Sequence, residues 1–202
     1  MSTRGLYGFR KDGKDKLTYN HCDSYPEILG HKILNFCKDV PVETLKDFYD
    51  SIELVDEDTI PTPEQIKKCK ECGYADFSVG SRSDTSWYCL LRNLQGNFKI
   101  LEEAIEKNHS IYMTDGNYFI KDSLFCEYAY IINLDSESLE FWIGFQTEPC
   151  EGNRYGEEPY QEYLAHGKEY YPCKFALNIP LNAIDNVNKW VKKMKETEKN
   201  DE

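Results

Sequence analysis

The spacing of apolar residues changes twice along this chain, and this change narrows the folds that the chain can adopt. Strand-like patterns occupy residues 6–19 and return between residues 124 and 179. From residue 26 to residue 107, apolar residues recur at i, i+3, i+4 and i+7, which is the spacing of one helix face. The pattern predicts an α+β fold in which an antiparallel sheet, built from an N-terminal and a C-terminal hairpin, packs against about five to six helices.

The two hairpins are predicted from their turns. Asp12-Gly13 lies between the strand-like segments 6–9 and 17–19, and Asp-Gly is a strong signal for a tight turn. The aromatic and β-branched segments 124–134 and 139–145 are separated by four small or acidic residues, which favour a hairpin loop. A further strand is predicted over residues 171–179, after a long loop that is rich in tyrosine.

The predicted helices begin at recognisable residues. Pro26 fits a first helical turn that Asp23 or Ser24 would cap, and Thr62-Pro63-Glu64-Gln65 matches a capping box. A helix that begins near Pro41 is expected to end in the acidic segment 53–58. Further helices are predicted over about residues 87–94, 98–107 and 181–196. We predict a single domain over residues 1–196 and a charged C-terminal tail over residues 197–202.

The charge of the chain limits its possible partners. It carries 24 basic and 36 acidic residues, for a net charge of −12. Direct nucleic-acid binding is not expected, because that function usually leaves a basic stripe. An acidic surface of this kind serves solubility or imitates nucleic acid toward a basic partner.

Eight cysteines are present, and the setting of the chain decides how they are interpreted. The N-terminus shows no apolar segment of a secretory signal, and no apolar run approaches the roughly 18 residues of a membrane span. We therefore expect a cytoplasmic protein with reduced thiols and no membrane association. Cys69 and Cys72 have zinc-like spacing, but a structural zinc site needs a second pair of ligands. We predict no cofactor and no metal, with zinc on Cys69 and Cys72 as the alternative.

The segment 19–26, Tyr-Asn-His-Cys-Asp-Ser-Tyr-Pro, is the polar block of this chain. Strand alternation places His21 and Asp23 on one face, where the carboxylate could orient and charge the imidazole, and places Asn20 and Cys22 on the other. The competing interpretation is structural, with Asn20 and His21 satisfying backbone groups of a turn. Arg82 precedes a predicted helix start and could bind an anion there. The candidate ligand-binding residues are Arg4, Tyr19, Asn20, His21, Asp23, Tyr25 and Arg82.

Ser2 is a candidate of another kind. If Met1 is removed, Ser2 becomes the first residue, directly before a strand, and its free α-amine could act as base for its own hydroxyl. This arrangement is used by N-terminal-nucleophile hydrolases. The tyrosine-rich segment 155–171 is a candidate interaction surface, because tyrosine supplies a large contact area at a small cost in entropy.

The residues in three patches resemble a group of small proteins found in bacteria and their phages. These patches are Thr3-Arg4-Gly5 with the polar block, the segment 123–130, and Leu139-Glu140 with Gly144-Phe145-Gln146. A fainter similarity to N-terminal-nucleophile hydrolases rests on the opening hairpin followed by Asn20 and Asp23. The resemblance implies a phage or prophage setting.

The sequence thus favours a non-enzymatic accessory protein of phage type that binds a host protein or a small anionic ligand, with a role in host defence or host takeover. The alternative is an amidohydrolase that uses Ser2.

Overall fold

The computed structural model describes residues 3–80, 82–160 and 167–199. The strands are β1 (Gly5–Lys11), β2 (Lys14–Asn20), β3 (Ile52–Val55), β4 (Ile111–Thr114), β5 (Tyr128–Asn133), β6 (Ser138–Ile143) and β7 (Lys174–Pro180). The α-helices are α1 (His31–Asp39), α2 (Val42–Ser51), α3 (Pro63–Glu71), α4 (Trp87–Leu90), α5 (Phe98–Glu106) and α6 (Val187–Lys199). The predicted α+β class is confirmed.

The main sheet has five strands in the order β2-β1-β5-β6-β7. The predicted hairpins are β1 with β2 and β5 with β6, and β7 extends the second hairpin in antiparallel orientation. The hairpins are joined by a parallel pairing of β1 with β5, in which Gly5 faces Tyr128. Parallel neighbours need a long crossover connection, and residues 21–127 with helices α1–α5 provide it.

One predicted boundary is wrong for a reason of tertiary pairing. Residues 52–55 do not belong to the end of a helix but form β3, which pairs in parallel with β4 in a second, two-stranded sheet. Ile52 and Val55 are buried in this strand, whereas Glu53 is exposed. At the other end of the chain, α6 begins only at Val187, after a 3-10 turn over Leu181–Ala183, and it extends to Lys199, into the segment predicted as a tail.

Helix caps follow the sequence at one place and depart from it at another. Thr62 and Gln65 form the predicted capping box at α3, with both reciprocal hydrogen bonds present. By contrast, the turn of π-helix at Pro26–Gly30 that precedes α1 is capped by Tyr25 without a side-chain hydrogen bond. The predicted cap by Asp23 or Ser24 is therefore wrong, although Pro26 does lie in the first turn.

Both faces of the main sheet are covered. On one face, a large core joins the sheet to the helices through buried aromatic residues, among them Phe9, Phe36, Phe98 and Phe141. On the other, a smaller core is formed around Trp142 and Cys173 by the segments that precede β5 and β7. All eight cysteines lie in the described segments and are free thiols. Within these segments, every helix is too short or too polar to span a bilayer.

Candidate functional site

The polar block begins as a tight turn at the end of β2. Asn20 is 4% exposed, and its Nδ2 donates to the carbonyl of Cys22 at 2.6 Å and to Ser24 Oγ at 2.8 Å. Ser24 is completely buried, and its backbone N–H donates to the carbonyl of Thr3 at 3.2 Å. Asn20 thus holds the turn from inside. This agrees with the structural interpretation of that residue and leaves it little surface for a ligand.

Strand alternation does not extend through the block. β2 ends at Asn20, and Asp23 has a φ of +57°, a left-handed conformation that asparagine and aspartate tolerate better than most residues. The faces predicted for His21 and Asp23 therefore have no basis in a continuing strand. Both side chains are exposed, as is Cys22, so they remain accessible to a partner.

Tyr19 connects the block to the body of the protein. Its ring packs edge-on against Phe119 with centroids 5.2 Å apart, and its hydroxyl lies 3.4 Å from Nδ1 of His21. Partial burial raises the pKa of the Tyr19 hydroxyl, against the opposing charge of Arg4. Tyr19 therefore stays neutral at physiological pH and offers His21 a hydrogen-bonding group.

Arg4 and Tyr25 lie at the end of the main sheet where β1 begins. The Arg4 guanidinium lies 5.1 Å from the ring centroid of Phe125, and the Arg4 backbone exchanges hydrogen bonds with Glu127 at 3.1 and 3.2 Å. Tyr25 packs against the ring of Tyr128 with centroids 6.1 Å apart. Tyr25 and Phe125 are 40% and 39% exposed, which is high for aromatic side chains.

Phe145, shortly after the end of β6, adds a third exposed aromatic ring at this end of the sheet. It is 54% exposed and has a φ of +57°, a conformation that is rare for a bulky residue. Its N–H donates to the carbonyl of Ser123 at 2.7 Å, and the next N–H, of Gln146, donates to Ser123 Oγ at 3.1 Å. Such backbone strain is retained mainly where a function depends on it. We call Arg4, Tyr25, Phe125, Tyr128 and Phe145 the sheet-end surface.

A groove of about 430 Å³ opens beside Phe145 and Tyr128. Its lining includes Lys168 and two carboxylates, Glu127 and Glu198. The Tyr128 hydroxyl donates to Glu198 on α6, and the pKa of this hydroxyl is raised by burial and by that hydrogen bond. Among the described residues that line the groove, negative side chains thus outnumber positive ones, which disfavours an anionic occupant.

Arg82 lies apart from these residues. It is exposed, with a φ of +53°, and its N–H donates to the carbonyl of Val79 at 3.2 Å. The following helix, α4, has only four residues and is capped by Ser86. This helix begins at Trp87, several positions after Arg82, and the anion site that the sequence predicts on Arg82 stays a prediction.

The remaining candidates are Cys69, Cys72 and Ser2. Cys69 is buried, and burial raises the pKa of its thiol to about 11. Cys72 Sγ lies 3.7 Å from Nδ1 of His109. In the part of the chain that the structure describes, no three side chains of His, Cys, Asp or Glu come together as a metal site requires. Ser2 lies outside the described residues.

The tyrosine-rich segment is partly structural. The Tyr155 hydroxyl donates to Asp15 Oδ2 at 3.0 Å and accepts from Arg154 at 3.0 Å, and burial is the main cause that raises its pKa. Tyr160 packs against the exposed Tyr118 with centroids 5.6 Å apart. Tyr163 lies outside the described residues. The interaction surface predicted for the segment 155–171 therefore stays a prediction. Exposed aromatic rings are also found outside this segment, among them Tyr25, Phe125 and Phe145.

Comparisons with protein-family models, with curated proteins and with solved structures each find no match for this chain. The resemblance to the bacterial and phage group stays a prediction that rests on the quoted residues.

Proposed function

We propose that this chain is a non-catalytic accessory protein of phage or prophage type that binds a protein of the host cell through the sheet-end surface. The observation that carries the binding role is the presence of three exposed aromatic rings, Tyr25, Phe125 and Phe145, at the end of the sheet where Arg4 lies. The phage setting is supported only by the resemblance of the quoted residues. The exposed His21 and Asp23 lie in the same polar block as Tyr25 and extend the surface.

The composition of this surface is that of a protein interface. Aromatic residues and arginine are enriched in such interfaces and account for most residues whose truncation costs much affinity. The backbone N–H groups of Phe145 and Gln146 donate to Ser123, so little backbone entropy of this segment is lost when a partner covers it.

The charges favour a protein partner with a basic surface over a small anionic ligand. Glu127 and Glu198 line the groove beside Phe145, and the chain as a whole carries a net charge of −12. An approaching anion is repelled by this field, whereas a basic partner is attracted and associates faster at low salt. We therefore place the small anionic ligand second.

Phe145→Asn tests this function without disturbing the fold. Asparagine tolerates a φ of +57° better than phenylalanine does, so we expect the free energy of unfolding to stay equal or rise. A host protein that is captured by the wild type and shown to bind directly by calorimetry should bind the variant about 30-fold more weakly, which corresponds to about 2 kcal/mol.

Tyr118→Asn is the matched control, because Tyr118 is an equally exposed aromatic residue outside the sheet-end surface, and it should bind like the wild type. Asp23→Asn, which keeps a residue suited to its positive φ, should weaken binding several-fold if the polar block takes part.

Equal affinity of wild type and Phe145→Asn would reject the assignment. Saturable binding of inorganic phosphate that Arg4→Ala abolishes, with no captured partner, would favour the anionic ligand.

The alternative, an amidohydrolase that uses Ser2, is tested by intact mass. Removal of Met1 is required, because the catalytic base would be the α-amine of Ser2. From the binding role we expect no loss of function when Met1 is retained. A Ser2→Ala variant should bind the captured partner like the wild type. Loss of a hydrolytic activity in Ser2→Ala, together with a mass that lacks Met1, would instead establish the alternative.

A further inference from the structure

A narrow cleft of about 130 Å³ lies between β2, β4 and α4, on a part of the molecule separate from the groove beside Phe145. Five of the residues that line it are aromatic, namely Tyr7, Tyr19, Trp87, Tyr88 and Tyr112. The rings of Trp87 and Tyr112 lie 5.5 Å apart and are tilted by 51°, so they present faces and edges at different angles. Tyr19 belongs to the polar block, which therefore contributes to this cleft as well.

The polar groups of the cleft are few and mostly already paired. The hydroxyls of Thr18 and Thr114 lie 3.0 Å apart, and the buried Tyr7 hydroxyl donates to the carbonyl of Leu94 at 2.9 Å. Among the described residues that line the cleft, Glu57 carries the only formal charge. Glu57 is exposed, so its carboxylate remains hydrated at the mouth of the cleft.

Two of the rings already attract cations of the protein itself. The Lys68 ammonium lies 4.9 Å from the ring centroid of Tyr112, and the Arg92 guanidinium lies 5.4 Å from that of Tyr88. Arg92 is fixed by a 2.7 Å hydrogen bond from Nη1 to Gln95 Oε1. Both distances lie within the roughly 6 Å over which an aromatic ring attracts a cation.

We propose that this cleft binds a compact organic cation, with a methylated ammonium group enclosed by the aromatic rings and facing Glu57. Aromatic walls with a nearby carboxylate are the usual environment of such groups, because the ring faces attract the diffuse positive charge. The volume suits this occupant: a cavity of about 150 Å³ accommodates one benzene molecule, so a methylated ammonium fits and a nucleotide does not. The net charge of −12 draws cations toward the molecule.

Choline and its uncharged analogue 3,3-dimethylbutan-1-ol form the test, because they have nearly the same shape and differ in charge. Both are titrated into isotope-labelled protein while the indole N–H signal of Trp87, assigned with a Trp87→Phe variant, is followed by NMR. We expect choline to shift this signal saturably and to bind at least about tenfold more tightly than the uncharged analogue. Sodium acetate, titrated in the same way, should leave the signal in place.

Glu57→Gln should weaken choline binding about threefold to tenfold, because it removes the charge and keeps the shape of the exposed side chain. Glu106→Gln, at an exposed carboxylate on α5 outside the cleft, is the matched control and should bind like the wild type. Tyr88→Leu should abolish the shift while far-UV circular dichroism stays unchanged. Equal binding of the two analogues, saturation by acetate, or the absence of any choline-dependent shift would overturn the proposal.

The two sites are distinguishable. Phe145→Asn should leave choline binding intact, since Phe145 does not line the cleft. A failure of the cation proposal therefore leaves the protein-binding role of the sheet-end surface untouched, and the reverse also holds.

Discussion

Arg154→Ala is expected to lower the free energy of unfolding at pH 7 by about 3 kcal/mol, because it leaves a buried carboxylate without its ionic partner. Arg154 binds Glu140 through two hydrogen bonds of 3.0 and 2.6 Å, and the Glu140 side chain is 7% exposed. Glu140 also accepts from Asn133 at 2.6 Å and from the Trp142 indole at 3.0 Å. These neutral donors stay in the variant but do not replace the positive charge.

The contribution of Glu140 to the pH dependence of stability should differ in sign between this variant and the wild type. In the wild type, burial by itself raises the pKa of Glu140, but the hydrogen bonds and the charge of Arg154 bring it below its ordinary value. This group therefore stabilises the fold above the unfolded pKa of about 4.3 and loses that contribution as the pH falls through its folded pKa. In the absence of Arg154, we expect burial to outweigh the remaining hydrogen bonds and to raise the folded pKa of Glu140 above the unfolded one.

In Arg154→Ala, the buried carboxyl is thus expected to take up a proton more readily in the folded state, so part of the lost stability returns as the pH is lowered from 7 toward 5. Urea unfolding followed by circular dichroism at both pH values measures the difference. Lys107→Ala, which breaks the exposed ion pair with Glu103, is the control and should cost less than about 1 kcal/mol. A similarly small loss for Arg154→Ala, or an unchanged gap between the two pH values, would contradict the assignment.

Gly144→Ala is the second change with a large expected effect. A Cβ at Gly144 would lie 2.1 Å from the carbonyl oxygen of Cys126 and 2.8 Å from that of Ser123, and both are backbone atoms that cannot rotate away. The Gly144 N–H donates to the carbonyl of Glu127 at 2.9 Å, so the added methyl also separates the strand end from the segment that carries Phe125. We expect a loss of about 3 kcal/mol or more in the free energy of unfolding.

Gly152→Ala is its matched control. Gly152 has a φ of +71° but nothing within 4 Å of an added Cβ, so alanine there meets backbone strain alone and should cost about 1 kcal/mol. Thermal unfolding of both variants at one pH provides the comparison. Gly144→Ala should in addition weaken partner binding at a temperature where it is still folded, because Phe145 follows directly. If Gly144→Ala loses no more stability than Gly152→Ala does, the end of β6 can move to accommodate the methyl group and the prediction is wrong.

Local signals in the sequence predicted much of the secondary structure. The Asp12-Gly13 turn, the capping box at Thr62 and the helical spacing of α1, α2 and α5 depend on contacts between residues a few positions apart, and each is found where it was expected. The polar block is also unusual in the sequence alone, because hydroxyl, amide, imidazole, thiol and carboxylate groups follow one another within it.

The same local signals could not place the site. Asn20 looked like a ligand-binding residue, but its side chain is enclosed by Ser24 and by Gly96, at which an added Cβ would lie 2.8 Å from Asn20 Oδ1. Phe145 looked like the end of a strand, and only its backbone conformation and its exposure mark it as a candidate for binding. The contact of Asn20 with Gly96 and the hydrogen bond from Phe145 to Ser123 both join segments that are more than 20 positions apart in sequence.

The sequence by itself determined the α+β class, the two hairpins and most of the helices, because residue spacing and turn chemistry act over short distances along the chain. Tertiary structure alone decided the parallel pairing of β1 with β5, the strand β3, the pairing of Arg154 with Glu140 and the grouping of Tyr25, Phe125 and Phe145. The physical reason is that these strands and side chains pair with residues that are distant in sequence. The spacing of residues within one segment contains no information about such contacts.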